Sequence, residues 1–343
     1  MQIICMPRGP RKEKKKKDTY YRYMTEILED GGIKFALAHG LLNPHTPCPH
    51  CLSSDRVSMQ KNAESPDGWA FKCGACSKRF SIRTNTFFSG SKLSIPDIVT
   101  IMCMFVMGIG CYDAYCLIGI TPRTIIDWYS FCREVCTHAV DMDNIVIGGP
   151  GMKVEIDETL MFKRKYNRGR LVRQQHWFFG GYCVQQKRGF LFPVEKRDRE
   201  TLIPLIHKHI APGSVIASDE WGAYKDLTSF GWIHRTVNHS QNFVDPKSGT
   251  HTQGVESFWN QIKRRLKYVF GSQGLLKYQR IVEAVYRLTF RFTREMPLRE
   301  RMKVFIGHVT KLYSSKAFKG FPSSSSCGEF ESCSDFEGSC DTF

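Results

Sequence analysis

The chain has 343 residues and a mass of 39.5 kDa, with 49 Lys+Arg against 33 Asp+Glu and a formal net charge of +16. Hydrophobic residues at 42% and aromatics at 13% supply enough apolar surface for folded cores, which excludes a chain disordered throughout. The longest charge-free apolar run, 15 residues from Ile98 to Tyr112, is short of the ~20 that cross a bilayer and reads as a buried helix. A pI near 9.3 points to a polyanionic partner, nucleic acid first and an acidic membrane surface second. The N-terminus has no long apolar core or cleavage site of a secretory signal, so the chain is expected inside the cell with its 14 cysteines reduced.

Residues 1–40 form a basic arm and lead-in. Residues 7–17 hold seven Lys/Arg and one acid, a run that cannot bury itself. It reads either as a solvated tail or as a nuclear-import signal that also touches phosphate. Residues 41–87 are rich in Cys, Pro and Gly. Here Cys48-Pro-His-Cys51 and Cys73-Gly-Ala-Cys76 are two CxxC pairs separated by 21 residues. Each pair offers two thiolates from one tight turn, and the intervening VSMQKN and GWAFKC can pair as strands that bring the turns together. The expectation is a structural zinc ribbon with Cys48, Cys51, Cys73 and Cys76 as ligands and His45 and His50 surplus. Four sulfurs leave no open position, so such a zinc would not be catalytic.

Residues 88–147 carry helical signals. Ser94-Ile-Pro-Asp97 resembles a capping box ahead of an apolar helix over 95–107. Tyr112 to Ile118, a turn at Gly119, and Thr121-Pro122 opening a second amphipathic run give the outline of a helix-turn-helix. On that reading Arg123, Thr124 and Asp127 face a DNA groove while Ile125, Ile126 and Phe131 pack inward; plain helical packing is the alternative. A Gly-Pro-Gly stretch within 147–153 then marks the clearest boundary in the chain.

Residues 152–313 alternate strands and helices before closing with basic helices. VEIDE (154–158) reads as a strand with Val154 and Ile156 on one face and Asp157 on the other. HWFFGGYCVQ and GFLFPVEKR follow as strands, then a helix (ETLIPLIHKHI), the buried strand Val215–Asp219, a strand WIHRTVNH, and a helix opening at HTQGVE. That helix carries its apolar stripe on one side and Glu256, Asn260 and Lys263 on another. An acid at a strand end is commonly only a turn residue, and one in a first helical turn commonly only complements the dipole. The order strand end, strand end, helix can nonetheless gather Asp157, Asp219 and Glu256 at one sheet edge. Three such carboxylates repel one another unless divalent cations compensate them, which suits Mg²⁺ or Mn²⁺. Two such ions about 4 Å apart would serve an in-line displacement at phosphorus.

The blocks VEIDET, HWFFGGY, SDEWGAY and HTQGVESFWNQIKRRL resemble the ISXO2-like (IS1595-type) transposases and their eukaryotic relatives, the Merlin transposons. The resemblance covers roughly residues 40–310, is tightest in the back half, and includes a gap of 36 residues between Asp219 and Glu256. It implies an RNase H-like catalytic domain of the DDE type behind a zinc ribbon and a DNA-binding region. It places Asp157, Asp219 and Glu256 at the metal-ligand positions and matches Lys263 to a basic residue after the third acid. Electrostatics agrees. Residues 163–173 hold six Lys/Arg and no acid, and Glu256 to Lys311 holds 13 Lys/Arg against four acids. Lys163, Arg164, Lys165, Arg168, Arg170, Lys263, Arg264 and Lys267 are therefore candidate DNA contacts beside Arg123 and Thr124. Trp221, Tyr224 and Trp259 either stack on unpaired bases or belong to the core.

The expected architecture is a mixed-sheet α/β catalytic domain preceded by a zinc ribbon and a helical region, followed by an acidic, Ser-rich, disordered tail (321–343). The expected activity is metal-dependent DNA cleavage and strand transfer with two Mg²⁺ (or Mn²⁺) and a structural Zn²⁺. Expected partners are element ends and target DNA, with a homodimer or higher synaptic oligomer implied by the resemblance, no membrane, and a nuclear location. The alternatives are a captured, non-catalytic DNA-binding protein and a structure-selective nuclease without strand transfer.

Overall fold

The computed structural model describes residues 20–28, 32–142, 145–161, 177–237, 251–266, 275–293 and 295–314. The basic arm, the acidic tail, the run 163–173 and Lys267 lie outside the described residues. Among the described residues no helix is long and apolar enough to cross a membrane.

Two short helices, α1 (Tyr20–Leu28) and α2 (Ile33–Ala38), precede a three-stranded antiparallel sheet, β1 (Val57–Lys61), β2 (Trp69–Cys73) and β3 (Arg79–Ser81). Val57 pairs with Cys73 and Lys61 with Trp69, the hairpin anticipated from the sequence. The third strand has only three residues and little periodicity to announce it. Arg83 locks this sheet to the following segment. Its buried guanidinium meets both oxygens of Asp67 at 2.6 Å and donates to Leu93 O at 2.6 Å and Ser91 O at 3.0 Å. A buried charge so fully partnered costs little to hold.

Three helices follow: α3 (Ile95–Met107), α4 (Cys111–Ile118) and α5 (Pro122–Met142). Ser94 Oγ accepts from Asp97 N at 3.2 Å, Pro96 occupies the first turn, and α3 stops where Gly108 turns left-handed at φ 82°. The α4–turn–α5 outline is as read from sequence, with Ile125 buried and Arg123 and Asp127 exposed. Ile126 departs from it. Expected inside, it is 49% exposed, because the next residue on a helix turns about 100° away from its neighbour. Together with Tyr112, Tyr115 and Leu117 it leaves an apolar surface on this helix pair.

The back half is a five-stranded mixed sheet of β4 (Lys153–Leu160), β5 (Trp177–Cys183), β6 (Arg188–Val194), β7 (Val215–Asp219) and β8 (Ile233–Val237), in the order β6-β5-β4-β7-β8. The first three strands are antiparallel meanders, and β7 and β8 run parallel to β4. With α6 (Arg199–His209) supplying the crossover to β7, this is the RNase H-like arrangement. The first strand is central, and the end of the fourth lies level with its middle. Leu202, Ile203 and Ile206 of α6 share a core with Val154, Ile156 and Ile216. Helices α7 (Gln253–Leu266) and α8 (Leu275–Thr289) contribute Val255, Phe258, Trp259, Ile262 and Ile281 to a second core with Phe178 and Leu191.

The last helix, α9 (Leu298–Ser314), packs on α3 and α5 rather than on the sheet. Tyr313 meets Phe87 edge-on at 5.6 Å, Phe305 lies 5.7 Å from Phe105, and Arg299 reaches Glu26 at 2.7 Å. One buried apolar cluster therefore runs from Tyr23 through α3 and α5 to Ile216 and Leu312, across the glycine-rich turn between α5 and β4.

Candidate active site

Alternation along β4 puts Val154 and Ile156 into the α6 core and sends Lys153, Glu155, Asp157 and Thr159 to the other face. Helix α7 lies along that second face and meets it step by step. Val255 N–H donates to Glu155 Oε2 at 3.0 Å, Trp259 Nε1–H to Asp157 Oδ2 at 3.1 Å, and Lys263 Nζ to Thr159 Oγ1 at 2.7 Å. Four helical residues rise about 6 Å and two strand residues about 6.6 Å, so the two ladders stay in step over three rungs.

Two glycines make this approach possible. A Cβ on Gly254 would sit 2.7 Å from Glu155 Oε2, and one on Gly180, opposite Asp157, would sit 2.6 Å from the Trp259 ring and 2.2 Å from Phe190 O. Glu155 itself is fully buried, with Lys153 Nζ at 3.1 Å and His251 Nδ1 at 3.3 Å. It anchors the start of α7, where a negative charge also meets the positive end of the helix dipole. Sequence reasoning passed over Glu155 and Thr159. The polar i, i+2 stripe on a strand whose other face is Val and Ile was the available signal.

Asp219 ends β7. The parallel register pairs Lys153 with Val215 and Glu155 with Ala217, and carried two residues further it sets Asp157 beside Asp219 on the same face. Burial pushes the Asp157 carboxyl up to about 7; the Trp259 hydrogen bond opposes this, and the neighbouring Glu158 and Asp219 charges add to it. Glu158 is raised too, by burial first, against the hydrogen bond from the Tyr224 hydroxyl, with Asp219 raising it further and Arg197 lowering it. Arg197 is held 3.8 Å over the Trp177 ring and 5.1 Å from Trp221, whose indole N–H donates to Arg197 O at 3.1 Å. Trp221 N–H in turn donates to Asp219 Oδ1 at 3.1 Å. Three acids and one arginine thus share one field around the end of β7. Of the three aromatics offered as base-stackers, Tyr224 and Trp259 are buried and bond acids, and Trp221 alone is exposed.

Glu256 is exposed on α7, and Lys263 is half-buried. Phe258 stacks on Tyr182 of β5, ring centroids 5.4 Å apart. Glu256, about 160° around the helix from Phe258, therefore lies on the flank away from β5. Three carboxylates do not close as tightly as the cysteines do. Among the described residues, the four cysteines are the one group of three or more His, Cys, Asp or Glu whose ligand atoms all lie within 4.8 Å of one another.

Those cysteines have the chemistry of a soft tetrahedral metal site. Cys48 and Cys76 Sγ are 3.6 Å apart and Cys51 and Cys73 Sγ 3.5 Å. The two turns repeat one geometry. Cys48 N–H bonds Ser53 O and Cys73 N–H bonds Lys78 O, both at 2.9 Å, and the residue after each second cysteine, Leu52 or Ser77, is left-handed. The backbone N–H of Cys76, with that of Ala75, draws the buried Cys73 thiol down to about 6, toward the thiolate that a metal takes, while the Cys51 thiol beside it is pushed up to about 12. His45 and His50 are exposed and outside this group.

Of the candidate DNA contacts, Arg123 and Arg264 are exposed, and Thr124 is half-buried with its hydroxyl 2.8 Å from Thr121 Oγ1. Lys163, Arg164, Lys165, Arg168, Arg170 and Lys267 lie outside the described residues.

Known proteins resemble the chain over parts of its length. An uncharacterized transposase-like protein of Haemophilus influenzae is 31% identical over 67 residues, which are 20% of this chain; the chain spans about half, 53%, of that relative's length. Among solved structures, the HTLV-2 integrase catalytic core domain in complex with magnesium (trimeric form) aligns with a TM-score of 0.28 and 16% identity, over 40% of this chain and 84% of that one. The catalytic core domain of BIV integrase aligns with a TM-score of 0.30 and 10% identity, over 47% of this chain and 97% of that one. Residues 139–289, which hold the whole mixed sheet, α7 and α8, match the ISXO2-like transposase domain.

Proposed function

We propose that this chain is a DNA transposase whose Asp157, Asp219 and Glu256 hold Mg²⁺ or Mn²⁺, two ions in the working site, for phosphodiester hydrolysis and strand transfer. The observation that carries the reading is the β4–β7 register, which, carried two residues past its last pair, sets Asp157 inside β4 beside Asp219 at the end of β7, with burial and like charge raising the Asp157 carboxyl. Such a pair is a poor resting state for two bare carboxylates and a good one for carboxylates sharing hard cations. Bound there, the cations would supply an activated oxygen nucleophile and stabilise the leaving oxygen. The chain's own parts are simpler. Trp259 fixes one Asp157 oxygen, Lys263 stays beside the site through Thr159, and Arg197 offsets the excess negative charge. Asn is the fitting replacement at Asp157, because its side-chain oxygen can still accept from Trp259. The Asp157→Asn chain should bind duplex DNA like the parent and lose Mg²⁺-dependent plasmid cleavage by at least about a hundredfold. A variant that nicks as well as the parent ends this assignment.

Four cysteines within 4.8 Å of one another support a structural Zn²⁺. A homodimer or higher synaptic oligomer and a nuclear location for the basic-armed chain complete the proposal. The exposed position of Glu256 favours a second reading, a DNA-binding protein without catalysis. In that case the parent binds DNA and cuts none of plasmid, paired element ends or RNA–DNA hybrid.

A further inference from the structure

A cavity of about 360 Å³ opens where the turn after α3 meets α5, the end of α7 and α8. Four arginines line it, Arg133, Arg265, Arg280 and Arg287, against one acid, Glu283. Arg287 is accounted for. Its Nε donates to Glu283 Oε1 at 2.8 Å, its Nη1 to Val106 O at 3.0 Å at the end of α3, and its guanidinium lies 4.9 Å from the Phe105 ring centroid. That pairing occupies the one acid on the wall. Arg133 is 3% exposed, and neither its Nε nor that of the half-buried Arg280 has a hydrogen-bond partner among the described residues. Burial, and then the charges of Arg287 and Arg264, depress Arg265; burial, and then Arg133, depress Arg280; Glu283 opposes both effects. The first turn of α4 begins on the same wall at Gly110 and Cys111 and brings its own acid, Asp113, which lies close to Gly110.

Two buried arginines, Arg133 and Arg287, with the half-buried Arg280 and the exposed Arg265 beside them, do not gather by preference. Packing alone would place apolar side chains here, and an arginine left without an acceptor loses its hydration for nothing. Planar forks converging on one cavity suit a group with several anionic oxygens. We propose that this cavity is a phosphate-binding site, distinct from the carboxylates on β4, and that it takes the phosphate group of a DNA strand or of a free polyphosphate. Its residues play no part in holding the catalytic cations, so its fate does not depend on theirs.

The test uses the full chain and inorganic phosphate, with chloride at matched ionic strength as the control. Phosphate should raise the parent's melting midpoint by about 2–4 °C over chloride. Arg133→Gln and Arg280→Gln should each remove that rise, while melting no lower than the parent in chloride because a like charge has gone. Should Arg133→Gln fail to fold, Arg280→Gln, at the less buried position, decides the matter alone. A second arm measures duplex binding against salt. If Arg280→Gln flattens the log–log slope by about one counterion, a DNA phosphate is the occupant; a lost phosphate response with an unchanged slope identifies a free phosphate. No midpoint shift together with an unchanged slope, or a shift that survives in both variants, overturns the proposal.

Discussion

Asp157 is the residue whose behaviour is most out of the ordinary. Its folded-state carboxyl sits near 7 against an ordinary 3.8, so between those values the folded chain binds more protons than the unfolded one. The contribution of this group to stability therefore falls as pH rises from about 4 to 7. In EDTA, Asp157→Asn should be more stable than the parent at pH 8 by about 2 kcal/mol, and the gap should close near pH 4. Urea unfolding at the two pH values measures this; an equal gap at both would mean the carboxyl is not strained. Adding Mg²⁺ at pH 8 should stabilise the parent and not the variant. Asp219 was legible from its place at a strand end, whereas Asp157 stands inside β4 and was marked by the alternation of VEIDE and not by an end. Trp259 and Tyr224 were not legible, because an aromatic side chain advertises area and not location, and only the folded positions of α7 and of the turn after β7 show that both end on acids.

At the scale of elements, the site is one helix laid on one strand, and its accuracy depends on how near the two can come. Gly254 permits that distance. Gly254→Ala forces a methyl to within 2.7 Å of Glu155 Oε2, against a buried, anchored acid, and should cost about 1–3 kcal/mol. Because the shift passes along α7 to Trp259 and Lys263, cleavage should fall more than DNA affinity does. Gly222→Ala is the control. Nothing lies within 4 Å of its Cβ position, and melting and cleavage should match the parent. A thermal melt and a cleavage assay on the pair settle it. Element types were readable because each rests on local pattern: the Ser94–Asp97 cap, the apolar stripe of α7, the short apolar run of β7. The three-rung contact between α7 and β4 was not, since it depends on matching a rise of 1.5 Å per residue to one of about 3.3 Å across roughly a hundred residues of chain.

At the scale of the molecule, composition marks a boundary over 147–153, yet the apolar cluster crosses it and α9 returns to close over α3 and α5. Gly-Pro-Gly announces a turn; it holds no information about where a helix some 150 residues later will dock. Front helices and back sheet should consequently unfold together. Calorimetry of residues 20–314 is expected to show one cooperative transition for both, and two well-separated peaks would contradict the shared core. Helix α5 has a particular standing in that unit. Its 21 residues make a rod about 30 Å long, exposed at the Arg123 end and embedded against α3, α8 and α9 along its body. A duplex advances about 3.4 Å per base pair, so the rod spans roughly nine. On the proposed reading, a strand gripped at one end would meet the chemistry at a preset offset, and the protein would act as a gauge whose graduation is written in the length of a single helix.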